Sequence, residues 1–165
     1  MPRGLKGFVY LASLLFALLS SLAVYTLAPG RVIRVADGDT LTLFSRERDM
    51  EKIRLYGVDA PESGQPWGAE AGSFVSALVM LQEVEIEVRD RDRYNRLVAE
   101  LRLPDGRSLN EELLRNGHAW VYRDYCPDLR CLAWLALEGE ARLNRRGLWA
   151  DENPVAPWVW RSRRK

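Results

Sequence analysis

Histidine and cysteine are scarce here, with one His and two Cys among 165 residues. The lone His118 and the two thiols of Cys126 and Cys131 are too few ligands for a four-coordinate zinc site. There is no internal repeat and no low-complexity segment, so neither a solenoid nor a disordered tract is in view. Charge is missing altogether between Lys6 and Arg31, an interval rich in Leu, Ala and Val. Preceded by Arg3 and Lys6, residues 1–30 read as a signal peptide or a retained membrane anchor, and the two readings stay open. Either sends the rest of the chain out of the cytoplasm, to a periplasmic, extracellular or membrane-anchored location. A broad positive field is absent too, although the formal net charge is +1. Arg3 and Lys6 belong to the leader, and Arg161, Arg163, Arg164 and Lys165 to the tail. The body from Arg31 to Trp160 keeps 18 basic residues against 23 acidic ones, close to −5. Such a body does not grip nucleic acid by bulk electrostatics, and any phosphate it binds must be held locally.

What is present is one domain's worth of ordinary globular composition, 47% hydrophobic and 28% charged. Arg31 to Val35 and Thr40 to Phe44 alternate like strands, with Asp37-Gly38 as a turn signal between them. Lys52 to Tyr56, Val84 to Arg89 and Leu97 to Leu103 follow as further strands. Ala71, Phe74, Val75, Leu78 and Leu81 fall at helical spacing. Ser108 to Asn116 predicts a short helix with Asn110 as its N-cap. A last helix begins near Pro127, runs to about Arg146 and is capped by Gly147. Five strands with an interposed helix suit an α+β, mainly β fold built on a small five-stranded barrel of the oligonucleotide/oligosaccharide-binding (OB) type. The expected divisions are a leader over 1–30, the barrel domain over 31–150 and a Pro/Trp-containing basic tail over 151–165. Cys126 and Cys131 suit a disulfide in an exported domain, with two buried thiols as the alternative. On one continuous helix they would lie too far apart, but Pro127 at a helix start leaves Cys126 at or before the cap.

Three charges interrupt the apolar stretch "IRLYGVDAPE" (Ile53 to Glu62). If the second and third strands are neighbours, Asp39 and Asp59 converge on one hard cation, calcium or magnesium, completed by main-chain carbonyls and water. Glu62, held near it by Pro61, is placed to take a proton from water. Arg54 and Arg96 could meet at the same place. A cation, a carboxylate base and two planar guanidinium groups suit attack on a phosphodiester, whose equatorial oxygens gather charge in the transition state. Taken singly, each piece has a plainer reading: a hairpin turn at Asp37-Gly38, a strand arginine, a rigid loop, a solvated charged loop at "DRDRYNR".

Taken together, six blocks in fixed order carry more: "VADGDT" (Val35 to Thr40), "IRLYGVDAPE", "GAEA" (Gly68 to Ala71), "DRYNRLVAEL" (Asp92 to Leu101), "LNEELLRNGHAWVY" (Leu109 to Tyr122) and "EARLNRRGLW" (Glu140 to Trp149). From about Val32 to Trp149 the chain resembles the staphylococcal nuclease family. The resemblance implies the barrel and a calcium-dependent endonuclease on DNA and RNA that leaves 3′-phosphates, with no protein partner implied. By the same resemblance, Asp39, Asp59 and the Ala60 carbonyl are calcium ligands and Glu62 is the general base. Arg54 and Arg96 stabilise the pentacoordinate phosphorus, and Tyr94 hydrogen-bonds a nucleotide phosphate. Two positions depart from the family's usual pattern. Asn95 stands where glycine is usual, and Asn is the residue best able to take a left-handed angle there. Tyr56-Gly57 replaces a bulkier apolar pair, which raises a question of core packing. A catalytically silent binding module on the same barrel is the rival, but such relatives typically lose a metal carboxylate, the base or an arginine, and this chain keeps all five side chains.

Overall fold

The structure, a computed structural model, describes residues 25–127 and 129–163, with side chains from Pro29 onward. Five strands close a barrel: β1 (Tyr25–Val35), β2 (Thr40–Ser45), β3 (Asp49–Leu55), β5 (Glu83–Arg91) and β6 (Leu97–Arg102), in the order β1-β2-β3-β6-β5. Every pairing in it is antiparallel except β3 with β6, which run parallel through Ile53, Arg54 and Leu55 against Leu97, Val98 and Ala99. Period-two alternation puts Leu41, Leu43, Ile53, Leu55, Leu97, Ala99 and Leu101 inside. Removing each of the larger ones from water is worth about 1.5–3 kcal/mol.

Helices pack on the barrel and on one another: α1 (Gly68–Val79) against β1, α2 (Leu109–Arg115) against β6 and α3 (Arg130–Leu143) against α2, with a short α4 (Pro157–Ser162) near the chain's end. Trp134 of α3 is fully buried with Leu109, Leu113 and Leu114 of α2. A second cluster joins Trp120, Ala141, Leu148 and Trp149.

The structure alters several expectations. β1 starts at Tyr25 and pairs with β5 from there, so the barrel takes in residues 25–30, the end of the expected leader. The rest of the expected leader, residues 1–24, lies outside the described ones. Among the described residues no helix is long and apolar enough to cross a membrane. Leu81 does not continue α1, because it turns to φ 62° and is 66% exposed. Ser108, not Asn110, caps α2: its hydroxyl accepts from the Glu111 N–H, while buried Asn110 bridges the Leu101 N–H and the Tyr56 carbonyl. A small side chain at the true N-cap leaves Asn free to tie the helix to the barrel. α3 begins at Arg130, so Cys126 lies before the helix and Cys131 in its first turn, and the two are joined in a disulfide with their Cα atoms 5.8 Å apart. Its C-cap is Asn144, and Gly147 serves a different purpose: a Cβ there would meet the Gly117 carbonyl oxygen at 2.2 Å. Two strands of two residues each escaped the pattern altogether: β4 (Val58–Asp59) and β7 (Trp120–Val121), which pair with each other. A period of two cannot be read from two residues.

Candidate active site

The turn between β1 and β2 delivers Asp39. Register sets Thr40 opposite Arg54, so Asp39 lies beside the end of β3. It is fixed from several directions. Its N–H donates to Asp37 Oδ1 at 3.0 Å, its carbonyl accepts from the Leu55 N–H at 2.9 Å, and its Oδ2 accepts from the Ala60 N–H at 2.7 Å. Gly38 makes this approach possible. A Cβ there would fall 2.7 Å from Ala60 Cβ and 2.8 Å from Ala71 Cβ. The glycine of the Asp-Gly pair is thus required by close packing.

Asp59 arrives by a different route. After β3, Gly57 takes φ 65°, a left-handed angle at which a Cβ would sit 2.7 Å from Cys126 Sγ and 2.8 Å from Trp134 Cζ3. The disulfide and Trp134 fill the space that a bulkier residue would need, which answers the packing question at Tyr56-Gly57. β4 then holds Asp59 with no solvent exposure, opposite Trp120.

Arg54 lies between the two carboxylates, paired with Asp39 at 2.6 Å and donating to Asp59 Oδ1 at 2.7 Å. Burial works to lower its pKa, yet Asp39, Asp59 and Asp37 together raise it, so the guanidinium stays charged. Burial raises the Asp59 pKa against the pull of Arg161 and Arg54. Asp37 is pushed up to about 6, first by burial and then by the charge on Asp39.

Glu62 joins the group through a residue of the basic tail. Arg161, on α4, donates to Asp59 Oδ1 at 3.1 Å, to Asp59 Oδ2 at 2.8 Å and to Glu62 Oε1 at 2.7 Å. Buried Gln65 orders the loop: its Oε1 accepts from the Glu62 N–H and its Nε2 donates to the Val155 carbonyl. Nothing in the spacing of "WVWRSRRK" singles out Arg161. Only its placement identifies it.

Asp39, Arg54, Asp59, Ala60 and Glu62 are therefore brought together, whereas Arg96 and Tyr94 form a neighbouring cluster at the β5–β6 hairpin. Arg96 Nε donates to Asp92 Oδ2 at 2.7 Å, and Asp92 Oδ1 accepts the N–H groups of Tyr94 and Arg96. Although slight burial works to raise it, these hydrogen bonds lower the Asp92 pKa. Asn95 takes φ 62°, the left-handed angle for which Asn replaces glycine well. Arg54 is paired in register with Val98, two positions beyond Arg96, so both arginines lie toward the outer face of adjoining strands. Tyr94 is 65% exposed, with the guanidinium groups of Arg93 and Arg96 at 4.9 and 5.6 Å from its ring centroid.

Among the described residues, no group of three or more His, Cys, Asp or Glu side chains is arranged to hold a metal ion. Two carboxylates on one guanidinium nevertheless supply oxygen donors of the type a hard divalent cation takes, and with Asp37 and Glu62 they outnumber the cations Arg54 and Arg161. The donor chemistry fits such an ion, provided main-chain and water oxygens complete its shell.

The profile of the family described as "Staphylococcal nuclease homologue" matches residues 52–151. The chain is 41% identical over 135 residues to a protein of Escherichia coli called "Uncharacterized endonuclease", covering 82% of this chain and 86% of that one. It is 36% identical over 140 residues to a "Micrococcal nuclease" of Shigella flexneri, covering 80% and 79%. A "Probable staphylococcal-like nuclease CAN1" of Oryza sativa subsp. japonica is 39% identical over 110 residues, covering 67% of this chain and 32% of that protein.

Proposed function

Since this chain belongs to the staphylococcal nuclease family and is a nuclease, we propose that it is a calcium-dependent endonuclease that cuts DNA and RNA and leaves 3′-phosphates. The observation that carries the reading is the single guanidinium of Arg54 between Asp39 and Asp59, with Glu62 joined to Asp59 through Arg161.

Asp39, Asp59 and the Ala60 carbonyl would hold the ion. When bound, calcium polarises a phosphoryl oxygen and offsets the repulsion met by the incoming nucleophile. Glu62 accepts a proton from water as the water oxygen bonds to phosphorus. Arg54 and Arg96 hold the equatorial oxygens, where planar guanidinium forks match the geometry and the charge. The bond from phosphorus to the 5′-oxygen then breaks, the phosphate stays on the 3′ side, and the leaving oxygen takes a proton from solvent. Tyr94 is exposed and placed beside Arg96, where its hydroxyl meets a neighbouring phosphate.

Export, by signal peptide or by anchor, remains part of the proposal and is supported by the uncharged interval after Lys6. Nicking of supercoiled plasmid by the full chain with calcium, against a chelator control, tests the activity. Glu62→Gln should lower turnover about 10²–10⁴-fold at saturating calcium. Near-normal turnover in that variant refutes the base assignment.

A further inference from the structure

The C-terminal segment is docked on the site from three sides. Gln65 holds the Val155 carbonyl at 2.6 Å. The Trp158 ring lies flat on Tyr122, with centroids 5.5 Å apart and an interplanar angle of 7°. Arg161 engages both oxygens of Asp59 and one of Glu62. Trp158 and Arg161 are three residues apart on α4, so they present one side of it. A six-residue helix does not hold its shape alone in water, and these contacts are what keep it helical.

The Arg161 contacts fall on groups that the proposed reaction needs free. An ion that takes Asp59 as a ligand needs an oxygen that Arg161 now holds. A base at Glu62 needs a lone pair for water, and its Oε1 already accepts from Arg161. An open aromatic face such as that of Tyr122 is a surface on which a nucleobase stacks, and Trp158 lies on it. The segment is also separable: the Arg161 side chain is 39% exposed and Trp158 is 37% exposed. A guanidinium serving only as a third phosphate clamp has no need to hold both oxygens of a metal carboxylate.

We infer that α4 is an intramolecular latch, in which Arg161 and Trp158 cover the cation- and base-facing groups of the site and give way when calcium or nucleic acid arrives. The inference rests on the calcium reading above. Closure of a latch for about nine-tenths of the time weakens apparent binding about tenfold.

Calcium titration calorimetry on the full chain, without nucleic acid, compares wild type with Arg161→Gln and Trp158→Ala. Both variants should bind calcium about tenfold tighter. Amide exchange over residues 155–163 of the wild type should rise when calcium is added. Trp158 carries no charge and touches no carboxylate, so its variant separates a latch from simple removal of a nearby cation. Tighter binding in Arg161→Gln alone overturns the latch, as does unchanged or weaker binding in both, or exchange that does not respond to calcium. If none of the three proteins binds calcium, the calcium reading falls together with the latch. If wild type binds calcium and cuts plasmid while the variants bind no tighter, the latch alone falls.

Discussion

Gly38→Ala is a one-carbon change that should damage both the fold and the site. The added Cβ would lie 2.7 Å from Ala60 Cβ and 2.8 Å from Ala71 Cβ, where about 3.4–4 Å is ordinary contact. Ala60 and Ala71 are buried and have no rotamer to change, so relief must come from backbone movement. Overpacking of this kind typically costs about 1–3 kcal/mol. Ala60 also donates its N–H to Asp39 Oδ2, and a shift of several tenths of an ångström would stretch that bond. A buried hydrogen bond to a charged group is worth about 1.5–3 kcal/mol, so the combined loss should reach about 3–5 kcal/mol. Urea unfolding followed by tryptophan fluorescence measures it. Calcium titration on the folded variant should also show weaker binding, because Asp39 and Asp59 no longer meet at their present spacing. A loss under about 0.5 kcal/mol, with wild-type calcium affinity, would refute the packing argument and return Gly38 to the role of an ordinary turn residue.

Three further outcomes are expected. Asp59→Ala should weaken calcium binding strongly in calorimetry, and unchanged affinity would reject the proposed ligand set. His118, packed on Phe74 at 4.3 Å between ring centroids, has its pKa lowered by burial against a pull from Glu70. A depressed pKa means that its neutral form contributes stability fully above about pH 6.5, the unfolded value, and that this is lost as pH falls through the folded value. His118→Phe should therefore flatten the fall in unfolding free energy just below pH 6.5; an unchanged slope contradicts this, and Asp37, titrating near 6 in both proteins, cancels in the comparison. Cys126→Ser with Cys131→Ser should cost about 2 kcal/mol for so short a loop. Because Cys126 Sγ lies against Gly57, two residues before Asp59, the double variant should also lose some calcium affinity, and a full-affinity variant would show that the bridge does not support the site.

The parts of this fold that were legible in the sequence are those with a period. Leu41 and Leu43, Ile53 and Leu55, and Val84 and Ile86 alternate because one face of each strand is buried, and the five barrel strands follow from them. Arg54, Asp59 and Glu62 stand out because charge in an apolar stretch requires a partner, and Asp39 because it follows the Asp-Gly turn at a strand end. Features without a period stayed hidden. β4 and β7 are two residues long, and Gly38 looks like any turn glycine until Ala60 and Ala71 are in place. Asn110 resembles a cap and instead joins a helix to the barrel, a long-range bond that no local pattern encodes. Arg161 lies about a hundred residues from both of its partners, in a run of basic residues that reads as a solvated tail.

The parallel seam between β3 and β6 has a consequence in time. It is the one parallel pairing in the barrel, and only three register pairs make it, extended by the Tyr56 N–H on the Ala99 carbonyl. Arg54 lies on one side of it and Arg96 at the head of the other. The β1-β2-β3 meander and the β5-β6 hairpin can each assemble from neighbours in sequence, while the seam must close a loop of more than forty residues and the β1–β5 pairing a longer one, the kind of step that slows folding. A chain with its hairpins formed and its seam still open has strands in quantity but its two arginines apart. During refolding, recovery of nucleic-acid cleavage should therefore trail recovery of strand signal and keep pace with the slowest phase.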